Sequence, residues 1–170
     1  MTDDARRADW RFLLPDPDLG RVAYLPPHDA ELVRALELCG ADVELGDSEP
    51  NRHDVVAITA GHPRVVAPAR AVLRAGGWLY AEVPGWRTRA WERELRRYSF
   101  VEVASHWLWP SARACREIVP LEAPALRHAL ARRDPGARMR VRARVAGLLA
   151  RTRLFRLALR DTAVVGRWSP

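Results

Sequence analysis

Lysine and glutamine are absent from this sequence of 170 residues, and all 28 basic residues are therefore arginines. Such one-sided usage, together with abundant alanine, is typical of a GC-rich bacterial genome, in which arginine fills positions that lysine would hold elsewhere. The formal net charge of +7 is consequently weak evidence for a nucleic-acid partner, because a phosphate-binding surface needs its positive charges clustered in a stripe. We expect an ordinary solvated basic surface and no nucleic-acid partner.

Cysteine is scarce, and long apolar runs are missing. Cys39 and Cys115 lack the C-x-x-C spacing of a zinc or redox site, which predicts two small buried apolar residues. No H-x-x-x-H spacing joins any two of the five histidines, so no metal site is predicted. Nothing approaches the roughly 18 apolar residues of a membrane span, and the polar start is unlike a secretory signal. These features predict a cytoplasmic protein without a membrane span.

The chain is 48% hydrophobic and has the length of one domain, which we place at residues 1–170. Residues 1–20 are interrupted by prolines and predict an extended arm across that domain. Residues 107–160 predict a helical C-terminal elaboration, with a long amphipathic helix from Arg138 to about Leu159. The predicted strands are Arg21–Leu25, Ala41–Leu45, Asp54–Thr59, Trp78–Val83, Ser99–His106 and Thr162–Arg167.

Helical patterns separate most of these strands, over His28–Cys39, Arg64–Arg74 and Thr88–Arg97. Strands that alternate with helices of about ten residues indicate βαβ units around a mainly parallel sheet. Right-handed crossovers then place helices on both faces of that sheet. The pattern predicts an α/β fold of the Rossmann-like, three-layer kind.

The sharpest local feature is the turn Arg74-Ala75-Gly76-Gly77, which leads into the buried strand and then Pro84-Gly85. The segment from Val65 to Gly85 resembles the fifth-strand region of class I S-adenosylmethionine-dependent methyltransferases, in which a helix ends in L-x-P-G-G before a central strand. The order of the other elements is also similar. The resemblance implies an antiparallel C-terminal strand at Thr162–Arg167 and S-adenosylmethionine as cofactor.

The family holds the methionine end of that cofactor on a glycine-rich loop after the first strand. The matching positions here include Pro26, His28 and Asp29, which the resemblance therefore makes cofactor-binding candidates. The loop departs from the family pattern, since it has no glycine and contains two prolines. Proline has no backbone N–H and a fixed φ, so this loop cannot cradle a ligand in the family's way.

Family members also place an acidic residue at the end of the second strand, where it holds the ribose hydroxyls. Glu44 and Asp47 are the candidates here, and Gly61 at the end of the third strand lies at the same predicted edge. Too few residues separate Asp47 from Asp54 for the helix, strand and helix of the complete fold. The resemblance therefore implies a sheet that is shortened at one edge and has no separate adenine wall.

Two histidines are candidate catalytic groups. His62 follows the third strand at the edge where open parallel sheets bind ligands, and a histidine there could act as general base with a carboxylate such as Asp29. The alternative is a polar loop residue, with Asp29 capping the next helix. His106 lies in the unusual stretch Ser105-His106-Trp107-Leu108-Trp109-Pro110.

Four further residues are candidate substrate contacts. Trp107 and Trp109 share one face of an extended segment and could form a stacking wall for a planar substrate or sugar. They could equally cover a sheet edge beneath the C-terminal helices. Glu82 is a carboxylate in an otherwise apolar strand, where it needs a partner or a ligand, and Trp86 follows the end of that strand.

Two functions remain open. The first is an S-adenosylmethionine-dependent methyltransferase-like domain acting on a small molecule, in secondary or carbohydrate metabolism. The second is a non-catalytic relative that has lost cofactor binding, as the loop at Pro26 suggests, and serves as a partner or accessory subunit. Binding to nucleic acid or another phosphate surface is a weaker third. The substrate, a homo-oligomer and a partner chain that completes the site all stay open.

Overall fold

A computed structural model describes residues 3–46, 48–59, 61–132 and 155–170 of the protein. Its strands are β1 Arg21–Leu25, β2 Asp42–Leu45, β3 His53–Thr59, β4 Leu73–Val83, β5 Phe100–Trp109, β6 Glu117–Pro120 and β7 Thr162–Trp168. Its α-helices are α1 Ala30–Leu38, α2 Val66–Val72, α3 Thr88–Arg97, α4 Ala123–Arg132 and α5 Phe155–Ala158. Short 3-10 helices cover Asp3–Leu13, Pro63–Val65 and Gly85–Arg87.

The strands form one mixed sheet in the order β2-β1-β3-β4-β7-β5-β6. Strands β2, β1, β3 and β4 are parallel, while β7 runs antiparallel to both β4 and β5. Strand β2 lies at one edge, and only residues 46–52 connect it to β3. The predicted Rossmann-like fold, its antiparallel closing strand and its shortened edge are confirmed.

Each face of the sheet is covered by its own apolar layer. On one face α1 and the N-terminal 3-10 helix pack together, with Trp10 stacked on Tyr80 at 3.8 Å between ring centroids. On the other face α2 and α3 pack on the sheet through side chains that include the fully buried Trp91. Apolar burial on both faces is the main stabilising contribution to such a three-layer arrangement.

The N-terminal segment differs from the extended arm that we predicted. Residues Asp3–Leu13 form a 3-10 helix, and three of its side chains, Arg7, Ala8 and Trp10, are buried. The prolines at positions 15 and 17 follow this helix and do not interrupt it. One side of the segment therefore packs into the interior of the domain.

The glycine turn also lies elsewhere than predicted, because Gly76-Gly77 falls within β4. The ladder pairs His53 with Leu73 and then Val55 with Trp78, so residues 74–77 bulge out of the sheet. Gly76 has a φ of +79°, which a side chain would disfavour. Helix α2 consequently ends at Val72, two residues before the predicted end.

The C-terminal prediction is tested only in part. Residues 133–154 lie outside the described residues and include most of the helix predicted from Arg138 to Leu159, of which the structure describes α5. Strand β5 extends to Trp109 and thus includes both tryptophans of the unusual stretch. Cys39 and Cys115 are unpaired and only partly buried. None of the described helices is long and apolar enough to cross a membrane.

Candidate functional site

A cleft of about 520 Å³ opens at the carboxyl ends of β1, β3 and β4. Open parallel α/β sheets bind their ligands at this edge. Residues 111–113 after β5, residues 160 and 161 before β7, and Thr162 at the start of β7 also line the cleft. Its lining includes three cationic and three anionic side chains, namely Arg7, Arg113, Arg160, Asp29, Glu82 and Asp161.

Arg7 and Glu82 form a buried ion pair at the floor of the cleft. Both guanidinium Nη atoms donate to the carboxylate of Glu82, with Nη2 at 2.6 Å from Oε2. Nη2 also lies 3.4 Å from Oδ2 of Asp29. Burial by itself lowers the pKa of Arg7, but the hydrogen bond and the charge of Glu82 outweigh it and raise the pKa overall. Arg7 therefore keeps its positive charge beside Glu82.

Tyr80 is a second hydrogen-bond donor to Glu82. Its hydroxyl donates to Oε1 of Glu82 at 2.7 Å, and burial raises the pKa of Tyr80 well above its ordinary value. The tyrosine is thus a neutral donor, and Glu82 accepts hydrogen bonds from Arg7 and Tyr80. The predicted need of Glu82 for a partner is met by the protein itself.

A chain of hydrogen bonds fixes the loop after β1. The hydroxyl of Thr59 donates to the carbonyl of Pro27 at 2.9 Å, so the hydroxyl of Tyr24 donates to Thr59 at 2.8 Å. The oxygen of Tyr24 in turn accepts from the backbone N–H of Asp29 at 2.8 Å. The peptide bond between Pro26 and Pro27 is cis. Every member of this chain has a defined direction of donation.

His28 lines the cleft with a defined tautomer. Its Nε2 lies 2.9 Å from the carbonyl oxygen of Tyr24 and must donate to it, because a carbonyl can only accept. In the neutral ring, Nδ1 is therefore the unprotonated nitrogen. Nδ1 is thus the acceptor nitrogen of the ring.

The loop after β1 offers few backbone donors to a ligand. Pro26 and Pro27 have none, and the N–H of Asp29 is already bonded to Tyr24. One carboxylate oxygen of Asp29 caps α1 by accepting from Glu31 N at 3.0 Å, as the capping alternative predicted. Any ligand in the cleft would have to be held mainly by side chains.

The structure separates Glu44 from this cleft. Its carboxylate lies 2.8 Å from Nε2 of His53 and lines a different pocket, of about 300 Å³, together with Arg21 and Arg52. Asp47, the other ribose candidate, lies outside the described residues. The structure therefore does not bring an acidic side chain from β2 together with His28 and Asp29.

His62 and Trp86 meet in a further pocket, away from His28. It lies between the 3-10 helix Pro63–Val65 and α3, and Trp86 is 57% exposed there. Nδ1 of His62 accepts from the backbone N–H of Arg64 at 3.3 Å and so caps the 3-10 helix. The structure does not bring His62 together with Asp29, the carboxylate that we predicted as its partner.

The residues of β5 lie apart from the cleft lining. His106 is 8% exposed, and its Nδ1 has no hydrogen-bond partner among the described residues. Burial lowers the pKa of His106 to about 4. Trp107 packs against the apolar cluster of α4 and β6, as the packing alternative predicted, whereas Trp109 pairs with Glu117 across the β5–β6 hairpin.

Sequence reasoning missed several residues of the cleft. Arg7 was assigned to an arm, and Thr59 and Arg113 were not singled out. The only signal for Arg7 was indirect, because a carboxylate such as Glu82 within a buried strand requires a cation. Nothing in the sequence showed which of the 28 arginines would supply it.

Gly61 is enclosed by the core. A Cβ there would lie 2.7 Å from Cγ2 of Ile58 and 3.5 Å from Cζ2 of Trp91. We therefore expect Gly61→Ala to lower the free energy of unfolding by about 1–3 kcal/mol through overpacking, measured by urea denaturation. Gly166→Ala is the control, since its Cβ would meet nothing nearer than 3.4 Å. Equal stability losses in the two variants would contradict this packing role.

Comparisons with known proteins were made by sequence and by structure. No model of a known protein family matches the chain, and no curated protein matches it in sequence. An S-adenosylmethionine-dependent methyltransferase from Archaeoglobus fulgidus superposes with a TM-score of 0.54 over 98% of this chain and 94% of that chain, at 12% identity. The chain has the class I methyltransferase fold.

Two further solved structures show the same fold with larger chains. An O-methyltransferase from Thermotoga maritima has a TM-score of 0.54 and 8% identity over 97% of this chain and 65% of that chain. A tRNA (m1A58) methyltransferase from Aquifex aeolicus has a TM-score of 0.50 and 9% identity, with coverage of 97% and 68%. The chain thus spans about two thirds of the length of these two methyltransferases.

Proposed function

We propose that this chain is an S-adenosylmethionine-dependent methyltransferase domain that acts on a small molecule in the cleft. The observation that carries the proposal is the position of the cleft at the ligand-binding edge of a class I methyltransferase fold, with three cationic and three anionic side chains in its lining. Phosphoethanolamine N-methyltransferase 2 from Haemonchus contortus, solved in complex with S-adenosyl-L-methionine, has a TM-score of 0.51 to this chain at 10% identity, over 99% of this chain and 53% of that chain.

The side chains of the cleft suit the charged end of this cofactor, although the loop after β1 does not supply the family's backbone cradle. The cofactor carries an ammonium group, a carboxylate and a sulfonium. Asp29 and Asp161 would hold the ammonium group, and Arg113 and Arg160 would hold the carboxylate. When bound, the cofactor supplies a methyl group on a positively charged sulfur. Binding through side chains replaces the glycine loop in this proposal.

His28 would accept the proton of a substrate hydroxyl or amine. Its Nδ1 is the acceptor nitrogen of a ring that Tyr24 holds in one tautomer, and His28 belongs to the lining of the cleft. His62 and His106 lie outside that lining, so His28 takes the general-base role in this proposal. Asp29, next in the chain, positions the loop through its cap on α1.

The size of the cleft favours a small substrate. Its volume of about 520 Å³ is in the usual range for small-molecule sites, roughly 300–1,000 Å³. Residues 111–113 and 160–162 also border it. A cofactor and a small acceptor molecule would occupy such a space.

A non-catalytic protein is the second candidate, and a specific observation favours it. Arg7 already neutralises Glu82 and approaches Asp29, so that the protein itself supplies the cation these carboxylates would otherwise bind. The loop with Pro26 and Pro27 adds no backbone donor. Under this second proposal the protein serves as a partner or accessory subunit and binds no cofactor.

Calorimetric titration with S-adenosylmethionine separates the two candidates. We expect binding, and we expect Asp29→Asn to weaken it about tenfold, because the charge is lost while asparagine still caps α1. Asp42→Asn is the matched control, since it removes an exposed carboxylate of β2 outside the cleft. A dissociation constant weaker than about 1 mM for the unaltered protein would leave the methyltransferase proposal without its cofactor and support the second candidate.

A further inference from the structure

The pocket that contains His62 and Trp86 is a separate feature of the surface. It has a volume of about 440 Å³ and lies on the face of the sheet that carries α2 and α3. It shares no residue with the lining of the cleft. The polar and aromatic groups of its lining are His62, Arg64, Trp86, Arg87, Arg93 and Arg97, with one carboxylate, Glu94.

Trp86 presents an indole to solvent within this pocket. It is 57% exposed, and the guanidinium of Arg87 lies 4.5 Å from its ring centroid. An arginine can cover only one face of a ring. The exposed area of Trp86 is therefore available for a planar group to stack on, an interaction that favours offset ring pairs.

The charges around Trp86 are not balanced within the described part of the chain. Arg97 lies 3.5 Å from the carboxylate of Glu94. Among the described residues, the side chains of Arg64 and Arg93 have no carboxylate partner. Four arginines thus face one glutamate, which is the clustering that a phosphate-binding surface requires.

His62 adds a donor of fixed direction. Its Nδ1 accepts from the backbone N–H of Arg64, so the proton of the neutral ring resides on Nε2. The ring therefore offers its Nε2–H as a hydrogen-bond donor. The pocket thus combines hydrogen-bond donors with a stacking surface, and it contains few hydrogen-bond acceptors.

We propose that this pocket binds a nucleoside phosphate, with the base stacked on Trp86 and the phosphate bound by Arg64 and Arg93. Both parts of such a ligand have a counterpart in the pocket, because guanidinium groups bind phosphate and an exposed indole stacks on a base. A free nucleotide and a nucleotide within a single-stranded nucleic acid share this chemistry. The site is independent of the cleft and of its proposed cofactor.

The test uses two probes, uridine monophosphate and a single-stranded oligouridylate of eight nucleotides, with uridine as the comparison that lacks a phosphate. Uridine is chosen because it lacks the adenine of S-adenosylmethionine and so does not mimic the cofactor. Binding is measured by calorimetry at low salt. We expect Trp86→Ala and Arg93→Ala each to weaken binding of the preferred probe about tenfold.

Arg96→Ala is the matched control, since Arg96 is an exposed arginine of the same helix α3 that does not line the pocket. We expect it to retain the affinity of the unaltered protein to within about twofold. Asp29→Asn, in the cleft, should also leave this binding unchanged, so that failure of the cofactor proposal and failure of this one are distinguishable.

The two probes distinguish the sources of the ligand. Equal affinity for both, per nucleotide, indicates a mononucleotide site, whereas tighter binding of the oligomer with a steep salt dependence indicates a strand. Either result supports the proposal. It would be overturned if neither probe bound, if uridine bound as tightly as its monophosphate, or if Arg96→Ala weakened binding as much as Arg93→Ala.

Discussion

Replacing Arg7 with alanine should lower the free energy of unfolding by about 3–5 kcal/mol, because it leaves the buried carboxylate of Glu82 without its cation. Both side chains are nearly inaccessible, at 5% exposure for Arg7 and 10% for Glu82. An isolated charge in such a place loses its solvation without compensation. Chemical denaturation in urea measures the loss directly.

Two further variants show whether the charge or the packing of Arg7 matters. Glu82→Gln in the Arg7→Met background removes both charges and should recover much of the loss, since an uncharged pair needs no counter-ion. Arg52→Ala is the control. Its ion pair with Glu49 is exposed and should contribute less than about 1 kcal/mol. A loss for Arg7→Ala no larger than for Arg52→Ala would show that the pair is not an important stabilising contact.

The same pair ties the N-terminal helix to the candidate cleft. Arg7 is held by Glu82 at the end of β4, and Trp10, one helical turn on, stacks on Tyr80 of the same strand. Loss of Arg7 therefore weakens the attachment of the N-terminal helix, which also borders the ligand-binding edge. Cofactor binding by this variant should be compared only at temperatures where it remains folded.

The alternation of strands and helices could be predicted because its signals are local. The apolar run of β1 and the helical spacing of α1, with Asp29 as its cap and Gly40 at its end, lie within twenty residues of sequence. The antiparallel closing strand followed from the resemblance to the methyltransferase family. These features predicted the fold, and the few residues between Asp47 and Asp54 predicted its shortened edge.

The N-terminal helix could not be predicted, since its reason lies far away in the sequence. Arg7 is fixed by Glu82, 75 positions later, and Trp10 by Tyr80. In the sequence alone, the segment combines apolar residues with Pro15, a pattern that is as typical of an extended arm as of a helix. Local pattern carries no information about such long-range partners.

The distribution of the candidate site residues has a similar cause. His28 and His62 both follow carboxyl ends of parallel strands, which predicts that they are neighbours. The chain leaves β1 toward the face that carries α1, and it leaves β3 toward the face that carries α2. The two histidines therefore enter different pockets, and only the three-dimensional course of the loops shows this.

Stability should fall as the pH decreases from about 6.5 to about 4, because of His106. Burial lowers the pKa of His106 to about 4 in the folded protein, against about 6.5 for a histidine in the unfolded chain. Between these values the unfolded chain binds the proton and the folded protein does not. The contribution is therefore fully present above about 6.5, and up to about 3 kcal/mol of it is lost by about pH 4.

His106→Leu isolates this contribution, since leucine fills much of the same space and does not titrate. We expect the variant to lose up to about 3 kcal/mol less than the unaltered protein between pH 7 and pH 4, measured by urea denaturation at each pH. His128→Leu is the control, because it removes an exposed histidine of α4 instead of a buried one. Parallel profiles for His106→Leu and the unaltered protein would show that His106 binds its proton as readily in the folded protein as in the unfolded chain. The side chain would then have access to solvent. In that case a role in proton transfer would return for this residue, whereas the expected divergence identifies it as a buried neutral side chain of the sheet.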